Sequence, residues 1–249
     1  MKKATIMFFF TFVFISTLWA SNIRYDDGES HLLDHQLYHD DRIMLDSVTY
    51  NNPGTELHIV NGGLTAWVVG YERSNLVMDG GTVSESIGLY HYATATISSG
   101  TIGGNLQGNS NTNVNMTGGN IQDRLNALNN ANITLSGGSV GLEIQSFNSA
   151  TISLVGSNFQ VTAGDNTYDL SYGDKLSDFG ILETAYSGDR RYVGTISGTL
   201  QDGSFLTVPF KVWNMDDYAG TADIYIIPEP TTLSLLALGA ILTGRRRRV

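Results

Sequence analysis

Hydrophobic and small residues recur in the middle of the chain with a period of 19 residues. The repeat is marked by pairs that contain glycine; the first step between pairs is 18 residues, and each later step is 19. These anchor pairs are Gly62-Gly63, Gly80-Gly81, Ser99-Gly100, Gly118-Gly119, Gly137-Gly138 and Gly156-Ser157. Counted from the first residue of a pair, apolar side chains recur at positions −4, −2, +3 and +7, and a further column at +10 holds Tyr90, Asn109, Leu128 and Phe147. The chain therefore contains an internal structural repeat.

The order of positions within each repeat predicts one coil of a parallel β-helix. Apolar residues at −4 and −2 have the period of a strand with one buried face, and the glycine pair permits a turn with positive φ. A second short strand and an Asn-rich corner follow, where side-chain amides can form ladders between coils. The corner residues are Asn109, Asn111, Asn113, Asn129, Asn130 and Asn148.

We therefore predict an all-β fold, a single-stranded, right-handed parallel β-helix of about six short coils with stacked apolar columns inside. At the usual spacing between strands, the solenoid is roughly 30 Å long. A leucine-rich repeat and a calcium-binding nonapeptide repeat are excluded because their Leu-Asn and Gly-Gly-x-Gly-x-Asp consensus patterns are missing.

Segments on both sides of the repeats complete the predicted organisation. Residues 21–53 are polar and acidic and are predicted to form an N-terminal cap or first coil, before the repeats of 54–164. After the repeats, Asp202-Gly203 between alternating residues is a hairpin signal, and a last strand is predicted at 224–227. We interpret 165–227 as a small C-terminal β module that closes the solenoid, because an open end exposes unpaired strands and apolar columns.

The last segment, 228–249, has three features of a membrane-associated tail. Pro228, Glu229 and Pro230 are expected to stay extended, since proline fixes φ and lacks a donor. Residues 231–243 predict an apolar helix about 20 Å long, shorter than the ~30 Å hydrocarbon core of a membrane. The predicted anchor consists of Leu233, Leu235, Leu236, Leu238, Ile241 and Leu242, and the basic cluster of Arg245, Arg246, Arg247 and Arg248. Terminal arginines can reach lipid headgroups and mark a cytoplasmic end, which favours a transmembrane helix over a core helix.

This tail resembles the PEP-CTERM sorting signal of Gram-negative bacteria. The Pro-Glu-Pro motif, the short apolar helix and the Arg cluster stand in the order that is typical of that family. The resemblance implies that the tail holds an exported protein in the inner membrane until an exosortase-type membrane enzyme processes it near the motif, for delivery to the cell surface or exopolysaccharide. The repeats are similar, less specifically, to those of autotransporter passengers and other bacterial surface β-helices.

The N-terminal end predicts export. Two lysines precede a charge-free, Phe-rich run over residues 6–19, and Ala20-Ser21 is the candidate cleavage site of a signal peptide that spans residues 1–20. Because Leu18 is imperfect at the third position before the cut, an uncleaved anchor is the alternative. With both ends combined, the signal helix directs export and the body lies outside the inner membrane.

Composition and charge narrow the function classes. The chain contains no Cys, which excludes disulfides, Cys-based metal sites and thiol nucleophiles. Between residues 21 and 227 there are 23 acidic and 8 basic residues, a net charge near −15. Such acidity argues against nucleic acid and anionic membrane surfaces as partners, and it suits a hydrated matrix. No cofactor and no bound metal are expected.

Two groups of titratable side chains suggest specific functional sites, one for metal binding and one for acid–base catalysis. His31, His35 and His39 are spaced by four and would form a metal-binding stripe on a helix, although we favour a capping segment without metal. Arg124 and Glu143 share a column on successive coils, beside a column that holds Glu85 and Asp123 two coils apart. An acid–base groove with Arg124 as the base is the enzymatic interpretation, and an exposed ion-pair ladder is the structural one that we favour.

The sequence thus predicts a non-enzymatic structural protein that is membrane-anchored and then directed to the cell surface or exopolysaccharide. Its expected partners are the exosortase-type enzyme, the inner membrane and an exopolysaccharide or envelope matrix. One alternative is a polysaccharide-acting lyase or hydrolase on the β-helix scaffold. Another is a glycan-binding adhesin, whose candidate sugar-stacking side chains are Tyr186, Tyr192, Trp213 and Tyr218, unless these pack a core.

Overall fold

The computed structural model describes residues 21–37, 41–46, 54–184, 189–214 and 221–227. These residues form strands and one short 3-10 helix, Leu176–Asp178. The strands are β1 (Asn22–Tyr25), β2 (Ser30–Leu33), β3 (Arg42–Leu45), β4 (Glu56–Val60), β5 (Leu64–Thr65), β6 (Trp67–Gly70), β7 (Asn75–Val83), β8 (Ile87–Leu89), β9 (Thr94–Ile102), β10 (Leu106–Asn109), β11 (Asn113–Ile121), β12 (Arg124–Leu128), β13 (Asn132–Val140), β14 (Glu143–Phe147), β15 (Thr151–Ala163), β16 (Asn166–Asp169), β17 (Ile181–Thr184), β18 (Arg190–Leu200), β19 (Phe205–Asn214) and β20 (Asp223–Ile227).

Most of the strands belong to two parallel ladders. Ladder one places β1, β3, β6, β8, β10, β12, β14 and β19 side by side. Ladder two does the same for β2, β4, β7, β9, β11, β13, β15 and β20, with β5 beside the second half of β7. The predicted all-β solenoid of about six turns is confirmed. Its right-handed sense stays a prediction, and the signal helix and C-terminal transmembrane helix lie outside the described residues.

Four of the predicted apolar columns fill the interior. Within one coil, Leu76, Met78, Val83 and Ile87 are fully buried. The equivalent residues of the following coils are buried as well, because each strand keeps its register with the next and places the same position inside. The core is therefore continuous along the solenoid axis.

The further column, at position +10, lies on the outer face of its strands and not in the interior. Strand alternation puts +7 and +9 on one face and +10 on the other, so the buried residues are those at +9. The buried column at +9 is not evident from the sequence because its residues are mostly small. The outward, half-buried residues are Tyr90, Asn109, Leu128 and Phe147, and the buried ones are Leu89, Gly108, Ala127 and Ser146.

The corner after ladder one contains the predicted amide ladder, in a shorter form. Asn129 donates from Nδ2 to Oδ1 of Asn109 at 2.7 Å, and Asn148 donates to Oδ1 of Asn129 at 2.9 Å. Asn129 and Asn148 have φ of 59° and 62°, a conformation that asparagine tolerates better than most residues. Ser110 and His91 occupy the same corner position one and two repeats before Asn129, with φ of 66° and 63°, so the chain turns there without glycine.

The anchor pairs need glycine for a second reason besides their backbone angles. Gly138 has φ of 89°, and a Cβ built on it would lie 2.3 Å from the carbonyl oxygen of Gly119 in the preceding coil. Real Cβ atoms do not approach backbone oxygens this closely. The glycine columns therefore set how tightly successive coils stack.

The strands outside the repeats also join the two ladders. At the N-terminal end, β1 pairs with β3 and β2 pairs with β4, both in parallel. At the other end, β15 runs on beyond the last anchor pair and pairs antiparallel with β16 and β18. The predicted hairpin is present: β18 and β19 are antiparallel around Gly203, whose N–H donates to Leu200 O at 2.9 Å. β19 and β20 then return to ladders one and two, beside β14 and β15.

Candidate functional site

The tail that carries the predicted sorting motif lies outside the described residues, but its attachment point is well defined. Ile227 is the last described residue, and it ends β20 opposite Val155 of β15. The chain therefore passes from a paired strand of ladder two straight into the motif. The predicted residues beyond this point are Pro228, Glu229, Pro230, Leu233, Leu235, Leu236, Leu238, Ile241, Leu242 and Arg245 to Arg248.

At the opposite end, the residue that follows the predicted signal cleavage is held by a carboxylate. Ala20 lies outside the described residues, and Ser21 is the first residue within them. The backbone N–H and the hydroxyl of Ser21 both donate to Oδ1 of Asp41, at 3.0 and 2.6 Å. Asp41 is only 2 % exposed, so this contact fixes the start of the described chain against the first coils.

The histidines do not form the stripe that a helix would give. His31 belongs to β2, where its Nε2 lies 3.0 Å from Oδ1 of Asp27 and its ring stacks on Tyr25 at 3.9 Å. The side-chain hydrogen bond from His31 lowers the pKa of Asp27. His35 contacts its neighbour Asp34, and His39 lies outside the described residues. Within the described ranges, no three His, Asp or Glu side chains are grouped so that they could hold a metal ion.

Arg124 takes part in an alternating row of charges on the outer face of ladder one. Its guanidinium lies 3.7 Å from Glu143 on the next coil and 3.4 Å from the adjacent Asp123. Oε1 of Glu143 also lies 3.0 Å from Nζ of Lys211 in β19. Backbone hydrogen bonds place Glu85 and Asp123 two coils apart, as the repeat predicted. These contacts are those of an ion-pair ladder along the outer face of the strands.

The aromatic residues of the predicted C-terminal module contribute packing contacts where they are described. The Trp213 ring lies 5.8 Å from that of Phe147 and 5.7 Å from the guanidinium of Arg191, and its Nε1 donates to Asp189 at 3.3 Å. Tyr192 is partly buried against the core. Tyr186 and Tyr218 lie outside the described residues. Trp213 and Tyr192 therefore have structural contacts that account for their presence.

A groove of about 320 Å³ on the outer face of ladder one was not predicted. One wall follows a single column of Arg42, Trp67, Ser86 and Asn105, and the opposite wall consists of Tyr71 and Tyr90. The sequence signal for this groove is the column at +10, which begins with Tyr90. Strand alternation places the ring of Tyr90 on the outer face of the solenoid, at the groove.

The floor of the groove is low because of one glycine. Gly88 lies in register with Val69 on one side and Gln107 on the other, and both neighbours also line the groove. The rings of Tyr71 and Tyr90 are stacked, with centroids 5.3 Å apart and an interplanar angle of 18°. Arg42 lies 5.5 Å over the ring of Trp67. The arrangement is an open trough with aromatic walls and polar groups along its length.

Comparison with protein families gives one match, to the family model of the PEP-CTERM protein-sorting motif, over residues 227–248. The chain carries a PEP-CTERM motif. A search of the curated proteins and of the solved structures found no match. The PEP-CTERM motif begins at Ile227, the residue at which β20 ends, so the sorting segment and the last strand of the solenoid meet without a linker. The motif supports an exported protein that an exosortase processes.

No helix among the described residues is long and apolar enough to cross a membrane. The apolar helix predicted at 231–243, within the PEP-CTERM match, lies outside those residues.

Proposed function

We propose that this chain is an exported structural protein that the tail anchors in the inner membrane and that an exosortase then directs to the cell surface or exopolysaccharide. The observation that carries the proposal is the PEP-CTERM motif at 227–248, joined directly to the last strand of an acidic β-solenoid. A solenoid with a continuous core is a stiff body, and its net charge near −15 favours a hydrated environment.

The sorting step is tested by a triple substitution in the motif. Pro228→Ala, Glu229→Ala and Pro230→Ala together remove the recognition motif and leave the apolar segment and the arginines in place. We expect the wild-type protein in the surface or matrix fraction, and the triple variant in the inner-membrane fraction of the same host. Replacing Arg245 to Arg248 by lysine is the control, since it keeps the charge at the end of the tail.

Fractionation of cells, followed by detection of the solenoid with an antibody, gives the measurement. A host that lacks its exosortase is expected to retain the wild-type protein in the inner membrane as well. If the triple variant reaches the surface as efficiently as the wild type, the tail does not direct sorting.

We also propose that the solenoid has no catalytic activity, because Arg124, the candidate base, is held by Glu143 and Asp123. The purified protein is expected to release no reducing or unsaturated ends from bacterial and plant polysaccharides. A cleavage activity that disappears in Arg124→Ala, and persists in the exposed control Arg73→Ala, would show that the row of charges is an active site.

A further inference from the structure

We infer that the groove bounded by Trp67 and Asn105 on one side and by Tyr71 and Tyr90 on the other is a saccharide-binding site. The inference concerns a different part of the chain from the PEP-CTERM motif and does not depend on how the protein is sorted. Its basis is the chemistry of the groove walls, the shape of the floor and the local charge.

The walls carry aromatic side chains on the outer surface of the solenoid, away from its core. Trp67, Tyr71 and Tyr90 are all half-buried on the outer side of ladder one, while the alternate residues Val68 and Leu89 fill the core. A pyranose ring has one face lined by C–H groups, and this face packs on an aromatic ring in the way an apolar side chain does. Because the tyrosines sit on successive coils, they extend in the direction of the solenoid axis at the spacing of the coils, about 4.8 Å.

The polar groups of the groove match the hydroxyl groups of a sugar. Asn105 and Gln107 have amide side chains, Ser86 has a hydroxyl, and Arg42 has a guanidinium, so donors and acceptors are both available along the trough. Nε2 of Gln107 lies 3.5 Å from the hydroxyl of Tyr90, a long contact that a ligand hydroxyl can replace. Binding sites for small molecules commonly combine apolar walls with a few polar groups in this way.

The floor and the charge of the groove support the same ligand class. The walls are separated by four residues along a strand, about 13 Å, and Gly88 between them leaves room for the ring of Tyr90 to lie against the floor. No residue that lines the groove is acidic, although the body as a whole is strongly acidic. The site therefore suits a hydroxyl-rich chain that lies parallel to the solenoid axis, across successive coils, rather than a cation.

The test measures binding of three probes to the full chain in a detergent without a sugar headgroup. Cellohexaose and mannohexaose are the neutral probes, and hexagalacturonate is the acidic probe; isothermal titration calorimetry gives the affinity. We expect at least one probe to bind. We expect Trp67→Ala and Tyr90→Ala each to weaken that binding about tenfold or more, since each removes one stacking surface.

Gly88→Val is the sharper variant because it deletes no side chain of the groove and acts by displacing the ring of Tyr90. The position is half-buried on the outer face of the strand, and the neighbouring coil carries Val69 in the same column, so valine is compatible with the fold. Its side chain would fill the floor, where a Cβ already meets the ring of Tyr90 at 3.2 Å. We expect Gly88→Val to abolish binding with an unchanged circular dichroism spectrum and melting temperature.

Tyr92→Ala is the matched control, since Tyr92 is 58 % exposed, lies in the same repeat as Tyr90 and does not line the groove. It is expected to bind like the wild type. Loss of binding to the acidic probe alone in Arg42→Gln would identify an acidic saccharide as the ligand. Absence of binding by all three probes, or equal binding by Gly88→Val and the wild type, would overturn the inference.

Discussion

At the scale of single residues, the most informative side chains are carboxylates that join distant parts of the chain. Oδ2 of Asp202, at the tip of the β18–β19 hairpin, accepts the N–H of Gly138 at 2.8 Å, and Ser204 donates to its Oδ1. Asp223, at the start of β20, accepts the N–H and the hydroxyl of Ser177. The pKa of Asp202 is lowered and that of Asp223 is raised, which gives opposite predictions for the effect of pH.

Asp202→Asn is expected to lower stability by about 1 kcal/mol at neutral pH. Burial opposes the charge of Asp202, but the hydrogen bonds from Ser204 and Gly138 outweigh it and lower its pKa. A pKa that is lower in the folded state contributes stability above the unfolded-state pKa, and this contribution is lost as pH falls through the folded-state pKa. Urea titrations between pH 2 and pH 7 should show the difference between variant and wild type shrinking in acid. A difference that is the same at all pH values would contradict this account.

Asp223→Asn is expected to show the reverse dependence. Burial raises the pKa of Asp223 in spite of the hydrogen bonds from Ser177 and the nearby charge of Lys175. A raised pKa favours the protonated carboxyl in the folded state, so this contribution is present below the ordinary Asp pKa and is lost as pH rises through the folded-state pKa. The wild type should therefore lose stability relative to Asp223→Asn over that window, in the same urea titrations. A wild type that gains on the variant with rising pH would show that Asp223 is charged in the fold without penalty.

Ser21 gives a third prediction, about processing at the N-terminal end. If the signal peptide is cut before Ser21, the amide N that lies 3.0 Å from Asp41 becomes a charged amine, and its hydrogen bond becomes charge-assisted. We expect Asp41→Asn to cost about 1 kcal/mol more in the processed chain than in a chain whose cleavage is blocked by Ala20→Leu. Thermal unfolding of the four proteins measures this coupling, and equal costs in both backgrounds would rule out a charged Ser21 at this position.

At the scale of elements, the glycine pairs determine how closely one coil can lie on the next. Gly138 is constrained twice, by φ of 89° and by the 2.3 Å approach to Gly119 O, whereas Gly173 has φ of 88° with nothing within 4 Å. Comparison of these two glycines separates the cost of backbone conformation from the cost of contact between coils.

Gly138→Ala is therefore expected to destabilise the protein by about 3 kcal/mol, and Gly173→Ala by about 1 kcal/mol. The additional loss of stability in Gly138→Ala, relative to Gly173→Ala, measures the energetic cost of the close contact between coils. Chemical denaturation of both variants gives the two numbers. Equal costs would show that the coils can move apart freely at this position and that the backbone angle alone selects glycine.

At the scale of the whole molecule, the sequence predicted the elements that repeat and missed those that depend on distant pairing. The 19-residue spacing was sufficient to predict the coils and four of their columns, because each position is repeated several times. Nothing in the spacing indicated that β19 lies beside β14, where Phe210 pairs with Ile144, 66 residues earlier in the chain. The groove was missed because the +10 column alternates with mostly small residues at +9. The sequence pattern therefore did not show which of the two columns faces the core and which faces outward.

The order of strands in ladder one gives the molecule two different ends. The groove lies on β3, β6, β8 and β10, near the first strand of the ladder, and β19 occupies the opposite end. From β8 to β19 there are four strand spacings, about 20 Å. The proposed saccharide site is thus displaced along the solenoid from the strands that precede the sorting motif.

The direct junction between β20 and the tail has a mechanical consequence. β20 pairs with β15 in parallel over five residues, from Asp223 opposite Thr151 to Ile227 opposite Val155. A pull on the tail along the strand axis loads these pairs in shear, so that they resist together and do not open one after another. If the tail is anchored as proposed, a pull on it would therefore enter the solenoid at β20, in the direction in which these five pairs resist together.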